Sequence, residues 1–179
     1  DNSLATVFSG DDLLEGGDGN DRLYGDGYQM NFESVQAVAH AGDDILFGGG
    51  GSDVLYGDAR NMNASSRSAY AYGGDDVLHG GEGDDVLYGD ATYMNAGSIG
   101  GRAFGGDDVL FGGAGDDQLY GDAYRTNVGA GALAVGGHDT FVFEAGFGRD
   151  TIHDFRLGNN DDGRDLIDLR ALTHALHPA

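Results

Sequence analysis

Short apolar segments alternate along the chain with turns rich in glycine and aspartate. Each segment has three residues, of which the middle one is large and apolar, and a Gly-x-Asp turn precedes it. Successive side chains of a strand point to opposite faces, so the middle residue faces one side alone. The pattern predicts short β-strands whose middle residues stack into a narrow core between two parallel sheets. These residues are Leu14, Leu23, Leu46, Leu55, Leu78, Leu87, Leu110, Leu119 and Phe141.

The same pattern recurs with a nearly constant period. GDDLLE at Gly10 recurs as GDDILF at Gly42, GDDVLH at Gly74, GDDVLF at Gly106 and a degenerate GHDTFV at Gly137, spaced by 32 residues three times and then by 31. A second block of the form G-G-x-G-x-D-x-U-x, where U is large and apolar, directly follows each of the first four copies. Self-similarity at a fixed period predicts a solenoid of stacked coils.

The composition changes the picture by adding a strong negative charge. The chain has 31 acidic and 9 basic residues, a formal net charge of −22, 35 glycines and no cysteine. Absent cysteine excludes a disulfide framework and thiolate metal sites, and the charge argues against nucleic-acid binding. No apolar run is long enough for a membrane span. Because 40% of the residues are hydrophobic, disorder is disfavoured, and we expect the chain to need cations to fold.

The turn chemistry indicates which cation. Glycine can adopt the positive φ angles that turn carbonyl oxygens inward, and aspartate adds a carboxylate. Such oxygen ligands favour Ca²⁺ over Mg²⁺. Strands of successive coils lie about 4.8 Å apart, so one ion can take ligands from two neighbouring turns. The nonapeptide block resembles the calcium-binding repeat of RTX, or haemolysin-type, proteins over roughly residues 7–139.

The resemblance implies an all-β fold: a right-handed parallel β-roll, or β-solenoid, of about five coils. The period departs from the family's simplest coil, which has two nonapeptides, because 14 to 15 variable residues separate each Gly-Asp from the next Gly-Asp-Asp. These inserts have their own register and predict a thin β arm on each coil that stacks on its neighbour. The aligned positions are Met30, Met62 and Met94, then Ala39, Ala71 and Ala103.

Two edges of the roll are expected to bind calcium, with about seven ions in all. At the regular edge, four complete loops create three inter-coil sites from Gly16, Gly17, Gly19, Asp21, Gly48, Gly49, Gly51, Asp53, Gly80, Gly81, Gly83, Asp85, Gly112, Gly113, Gly115 and Asp117. At the arm edge, five partial loops allow up to four sites from Asp12, Asp26, Gly42, Asp44, Asp58, Gly74, Asp76, Asp90, Gly106, Asp108, Asp122 and Asp139. Asn20, Ser52, Asp84 and Asp116 vary between copies and are expected to face water.

After Asp139 the period stops, which divides the chain into repeats at 1–139 and a capping segment at 140–179. The stretch TFVFEAGFGRDTIHDF, followed by GRDLIDLRAL, resembles the C-terminal end of the calcium-binding domain in serralysin-type secreted proteases and alginate epimerases. The resemblance implies closing strands at Thr140–Phe143, Thr151–Phe155 and Leu166–Leu169. Candidate ligands for one further ion are Asp150, Asp154, Asp165 and Asp168.

By resemblance, the function is that of a secreted, extracellular RTX module. Such a module folds on binding Ca²⁺ and serves as the structural and secretion domain of a larger protein that meets the type I secretion machinery. The alternative is an extracellular module that binds polysaccharide or another partner through its aromatic outer faces. An enzyme is disfavoured, because every pair of carboxylates repeats with the period and a catalytic pair would be unique. The residues of the aromatic faces are Tyr24, Tyr56, Tyr88, Tyr120, Phe47, His79 and Phe111.

Overall fold

The computed structural model describes residues 5–31, 37–63, 70–96, 101–128, 133–157 and 164–172. Almost all regular structure in these ranges is β-strand, and residues 170–172 are helical. The strands are β1 (Ala5–Phe8), β2 (Leu13–Asp18), β3 (Arg22–Tyr24), β4 (Gly27–Asn31), β5 (Ala37–His40), β6 (Ile45–Gly50), β7 (Val54–Tyr56), β8 (Ala59–Asn63), β9 (Tyr70–Tyr72), β10 (Val77–Glu82), β11 (Val86–Tyr88), β12 (Ala91–Ala96), β13 (Arg102–Phe104), β14 (Val109–Ala114), β15 (Gln118–Tyr120), β16 (Ala123–Val128), β17 (Leu133–Val135), β18 (Thr140–Val142), β19 (Thr151–Ile152) and β20 (Leu166–Asp168).

The strands form four parallel sheets, because each coil repeats the path of the one before. Two roll sheets have the orders β2-β6-β10-β14-β18-β20 and β19-β15-β11-β7-β3, and two arm sheets have the orders β16-β12-β8-β4 and β1-β5-β9-β13-β17. Pairing follows the sequence period, so that Leu46 lies beside Leu78 and Ala39 beside Ala71. The all-β parallel solenoid and its arms are thereby confirmed.

The solenoid has about four turns rather than the predicted five. Each complete turn contributes one strand to every sheet, from β2–β5 to β14–β17. The degenerate copy at Gly137 contributes β18 to a roll sheet, and the next strand, β19, joins the other roll sheet. The fifth copy therefore closes the roll and does not form another coil with an arm.

Each coil encloses two separate apolar cores. Between the roll sheets lies the predicted leucine core, in which Leu55, Leu87 and Phe141 are fully buried. Between the arm sheets lies a second core of methionine and alanine, in which Met62, Met94 and the aligned alanines are likewise buried. Alanine leaves room for the methionine opposite, which keeps the arm thin.

Between the two cores the chain crosses twice in every coil, and we call this region the waist. The outgoing crossing leads from a roll sheet into an arm through a Gly-Asp pair such as Gly57-Asp58. The returning crossing leads from the arm back to the other roll sheet through a segment such as Gly74–Asp76. The waist thus brings together two parts of the chain that are 16 residues apart.

Three short strands close the C-terminal end of the roll. They are β18, β19 and β20, at the predicted places but one to three residues shorter than expected. Ile152 and Phe155 pack against the leucine core, which would otherwise be exposed at the end of the solenoid. No helix among the described residues is long and apolar enough to cross a membrane. The division at residue 139 and the serralysin-like character of the cap stay predictions.

Candidate metal sites at the edge and the waist

The regular edge is built from the stacked loops Gly16–Asp21, Gly48–Asp53, Gly80–Asp85 and Gly112–Asp117. In each loop the glycines at the second and fourth positions have positive φ angles, for example 109° at Gly49 and 125° at Gly51. Side-chain-bearing residues rarely adopt this conformation. The loops are also joined by hydrogen bonds, such as that from the Gly51 N–H to the Glu82 carbonyl oxygen (2.7 Å).

The last aspartate of each edge loop binds the neighbouring coil with one oxygen only. The Asp53 N–H donates to Oδ1 of Asp85 (2.8 Å), and the Asp85 N–H donates to Oδ1 of Asp117 (2.9 Å). The three side chains are 1% exposed, and their Oδ2 atoms have no hydrogen-bond partner among the described residues. A Cβ built on Gly48 would lie 2.5 Å from both Asp53 Oδ2 and the Gly80 carbonyl oxygen. A carboxylate and a carbonyl oxygen therefore converge beside this glycine.

The returning aspartates form a second row, at the waist. The Asp44 N–H donates to Oδ1 of Asp76 (2.7 Å), and the Asp76 N–H donates to Oδ1 of Asp108 (2.8 Å). All three side chains are fully buried, and their Oδ2 atoms are without hydrogen-bond partners in the described chain. A Cβ on Gly57 would collide with Asp76 Oδ2 and with the Gly89 carbonyl oxygen. The arrangement of the edge is repeated here inside the protein.

The outgoing aspartates form a third row, which faces the returning one. Oδ1 of Asp58 accepts the Gly74 N–H (3.0 Å), and Oδ1 of Asp90 accepts the Gly106 N–H (2.9 Å). Each of these bonds closes the base of an arm. Oδ2 of Asp58 and of Asp90 is buried without a hydrogen-bond partner in the described residues. From the sequence, these aspartates are only candidates at the arm edge; the structure places them between the two cores.

The electrostatics of both regions favour a bound cation. Burial raises the pKa of Asp85 to about 7 and that of Asp117 to about 6. At the waist, burial and the neighbouring Asp76 carboxylate hold the pKa of Asp58 well above its usual range. Burial raises the pKa of Asp76 to about 8. Charged carboxylates in these positions need a positive partner, since burying an unpaired charge is costly.

The donor atoms fit a hard divalent cation. At Gly48 and at Gly57 the nearest polar atoms are a carboxylate and a carbonyl oxygen, and Ca²⁺ takes six to eight oxygen ligands. Within the described ranges no three His, Cys, Asp or Glu side chains form a metal-holding cluster. Such a site must then combine one or two carboxylates with backbone carbonyls, which is the combination seen beside Gly48 and Gly57.

The loop residues that vary between copies face water, as predicted. Ser52, Asp84 and Asp116 are exposed, and the Asp116 N–H donates to Oδ1 of Asp84 (2.9 Å). A second exposed row, not singled out from the sequence, lies on the returning crossing. There the Asp75 N–H donates to Oδ1 of Asp43 (3.0 Å), one step of a series formed by Asp11, Asp43, Asp75 and Asp107.

Three of the four aspartates singled out in the C-terminal segment continue these rows. Oδ1 of Asp150 accepts the Asp117 N–H (3.1 Å) at the edge, and Oδ1 of Asp165 accepts the Asp139 N–H (3.3 Å) in the returning row. Asp154 ends the outgoing row by accepting two backbone N–H groups. Asp168 instead pairs with Arg170 on the surface. A further ion in this segment stays a prediction.

The predicted aromatic ladders are present, and their ring faces cover one another. Tyr56 stacks between Tyr24 and Tyr88 at centroid distances of 4.8 and 5.0 Å, and Tyr56 and Tyr120 are only 5% exposed. His79 stacks between Phe47 and Phe111 at 4.7 and 4.2 Å. Such stacking stabilises neighbouring strands. Binding of polysaccharide to these faces stays a prediction.

Comparison with known proteins agrees with the geometry. The family model of the RTX calcium-binding nonapeptide repeat matches in four copies, at residues 8–27, 37–59, 69–91 and 103–123. The gaps between copies begin inside the outgoing arm strands β4, β8 and β12, whereas the returning arm strands β5 and β9 and most of β13 lie within matched copies, so the departure from the family pattern is concentrated in the outgoing half of each arm. No match was found among curated proteins. Four matched copies, the parallel solenoid and its rows of inward carboxylates show that the coils of this chain are RTX calcium-binding nonapeptide repeats.

Proposed function

We propose that this calcium-binding module folds when it binds extracellular Ca²⁺ and serves as the structural and secretion domain of a larger type I-secreted protein. One observation carries the folding step. Eleven buried aspartate oxygens have neither a hydrogen-bond partner nor an ion pair among the described residues; they belong to Asp21, Asp26, Asp44, Asp53, Asp58, Asp76, Asp85, Asp90, Asp108, Asp117 and Asp139. Without cations the folded coils would bring these desolvated carboxylates together, which opposes folding.

The residues that would hold the ions lie in the two regions described above. At the edge they are Asp21, Asp53, Asp85 and Asp117 with the carbonyl groups of the loop glycines; at the waist they are the returning and outgoing aspartates. Bound Ca²⁺ supplies positive charge. The chain supplies oxygens that meet only in the folded state, because each space lies between two coils. About seven such spaces are proposed to be filled.

Folding is then linked to the calcium concentration. A ligand that binds only the folded state stabilises it by mass action, and extracellular calcium modules bind at about 10⁻⁴–10⁻³ M. Cytosolic calcium is far lower, so the chain would stay unfolded before export and fold outside. The absence of cysteine is compatible with this route, since folding then depends on no disulfide.

No catalytic role is part of this proposal. The buried carboxylates recur from coil to coil with the same backbone partners, as the bonds to Asp53, Asp85 and Asp117 show. A repeated arrangement is typical of a structural ion row, whereas a reaction centre needs one distinct constellation.

A calcium titration followed by circular dichroism tests the proposal. We expect a cooperative gain of β signal with CaCl₂, reversed by EDTA and not reproduced by the same concentration of MgCl₂. Isothermal titration calorimetry on the same sample counts the ions. A spectrum that is the same in CaCl₂ and EDTA would contradict calcium-dependent folding.

A further inference from the structure

At the C-terminal end of the waist, an arginine faces an aspartate whose equivalents in the upstream coils have an inward oxygen without a hydrogen-bond partner among the described residues. Asp122 is the equivalent of Asp58 and Asp90, and its side chain is 2% exposed. Its Oδ2 lies 3.1 Å from a guanidinium nitrogen of Arg156. The corresponding oxygens of Asp58 and Asp90 are buried and, among the described residues, have neither a hydrogen-bond partner nor an ion pair.

The backbone of the cap holds Arg156 in this place. Its N–H donates to Oδ2 of Asp165 (2.6 Å), and the Asp165 N–H donates back to the Arg156 carbonyl oxygen (3.1 Å). Asp165 also accepts the Asp139 N–H and is 5% exposed. The residue that ends the returning row therefore also positions the arginine at the end of the outgoing row.

The carboxylates around Arg156 give its surroundings the negative charge expected around a bound cation. Asp122, Asp154 and Asp165 all feel its guanidinium, which lowers their pKa values against the effect of burial. The pKa of Asp122 is raised to about 6, whereas burial and neighbouring carboxylates hold those of Asp58 and Asp90 well above the usual range. Asp154 has both oxygens bonded to backbone N–H groups, of Gly121 (2.9 Å) and Asp122 (3.1 Å).

We propose that Arg156 is a tethered cation that replaces a bound metal ion at the last position of the waist. The inference rests on the proposed function, in which the upstream positions of the waist hold Ca²⁺. A guanidinium keeps its charge at any pH in use. It donates hydrogen bonds to the oxygens around it but, unlike a metal ion, it has no open coordination position for the oxygen ligands of a further coil. The row of ions can therefore end at Asp122 without another metal ion and without a buried unpaired carboxylate.

The test compares Arg156→Gln with the wild-type chain by calcium calorimetry and by a calcium titration of the β signal. We expect Arg156→Gln to bind one more ion per chain and to fold at a higher midpoint calcium concentration, because an ion must now fill the place of the guanidinium. Arg149→Gln is the matched control. It removes the same charge from an exposed pair with Asp116 (3.0 Å) and should bind the wild-type number of ions.

A double variant, Arg156→Gln with Asp122→Asn, covers the case in which Arg156→Gln does not fold. The second substitution keeps the Oδ1 acceptor for the Gly137 N–H but removes the buried charge, so this variant should fold and bind the wild-type number of ions. The proposal is overturned if Arg156→Gln has the wild-type ion count and midpoint, or if the double variant fails to restore folding. A wild-type chain that does not fold with calcium would instead refute the proposed function.

Discussion

Substitutions at the adjacent residues Asp84 and Asp85 distinguish the effect of losing an inward ligand oxygen from the effect of losing one negative charge. Asp85 is 1% exposed and has a buried Oδ2 without a hydrogen-bond partner in the described chain, whereas Asp84 is exposed. Substitution to asparagine removes one negative charge in either case. It also keeps the Oδ1 acceptor, which receives the Asp53 N–H at Asp85 and the Asp116 N–H at Asp84. The two variants therefore differ in whether an inward oxygen is lost.

The expected difference follows from linkage. An ion with a dissociation constant of about 10⁻⁴ M contributes about 2.7 kcal/mol to the free energy of unfolding at a hundredfold higher concentration, that is, in about 10 mM CaCl₂. Asp85→Asn turns one ligand oxygen into an amide nitrogen, so we expect it to lose most of that contribution. Asp84→Asn should change the free energy of unfolding by no more than about 0.5 kcal/mol, as is typical of surface substitutions.

Urea unfolding followed by circular dichroism in about 10 mM CaCl₂ measures both free energies. A calcium titration without urea compares the midpoints of folding, where Asp85→Asn should require more calcium than Asp84→Asn. Equal losses for the two variants would refute the reasoning, because they would show that total charge and not the inward oxygen governs folding.

Two further predictions concern coil stacking and protonation. Gly17 and Gly81 have similar φ angles of 100° and 114°, but a Cβ would meet open space at Gly17 and collide with the Gly49 carbonyl oxygen at Gly81. Urea unfolding should show that Gly17→Ala lowers the free energy of unfolding by about 1–2 kcal/mol through backbone strain alone and that Gly81→Ala lowers it further. Equal losses for the two variants would contradict close stacking of the loops. Burial raises the pKa of Asp44 to about 7 and that of Asp76 to about 8 from a usual 3.8. Protonation of these groups therefore stabilises the calcium-free fold: the stabilisation is complete below pH about 4 and disappears as the pH rises through about 8. Circular dichroism in EDTA should show more β structure at pH about 4 than at pH about 8, and the opposite order would contradict the burial of these groups.

The leucine core and the regular edge could be predicted because their information is local and periodic. A Gly-Gly-x-Gly-x-Asp turn followed by one apolar position specifies a loop and a strand within nine residues. The constant spacing then places equivalent residues side by side, as Leu55 and Leu87 are. Stacked coils repeat the same contact, so one correct coil predicts all the others.

The number of coils was less predictable, because a partial repeat does not reveal how its chain continues. GHDTFV at Gly137 matches the start of a coil, yet β19 follows it in the other roll sheet without an arm between them. The aligned methionines and alanines predicted an arm, but they did not show that it would enclose a core separate from the leucines.

The sequence by itself determined the period, the edge loops and the acidic, oxygen-rich chemistry, because each of these depends on residues that are close in the chain. Only the tertiary structure decided that Asp58 closes an arm against Gly74 and that Arg156 meets Asp122 across a non-repeating segment. Both contacts form at the waist, where separate crossings of the chain lie side by side between the two apolar cores. The energy of a buried carboxylate there depends on which group lies opposite, and that neighbour is set by folding and not by spacing in the sequence.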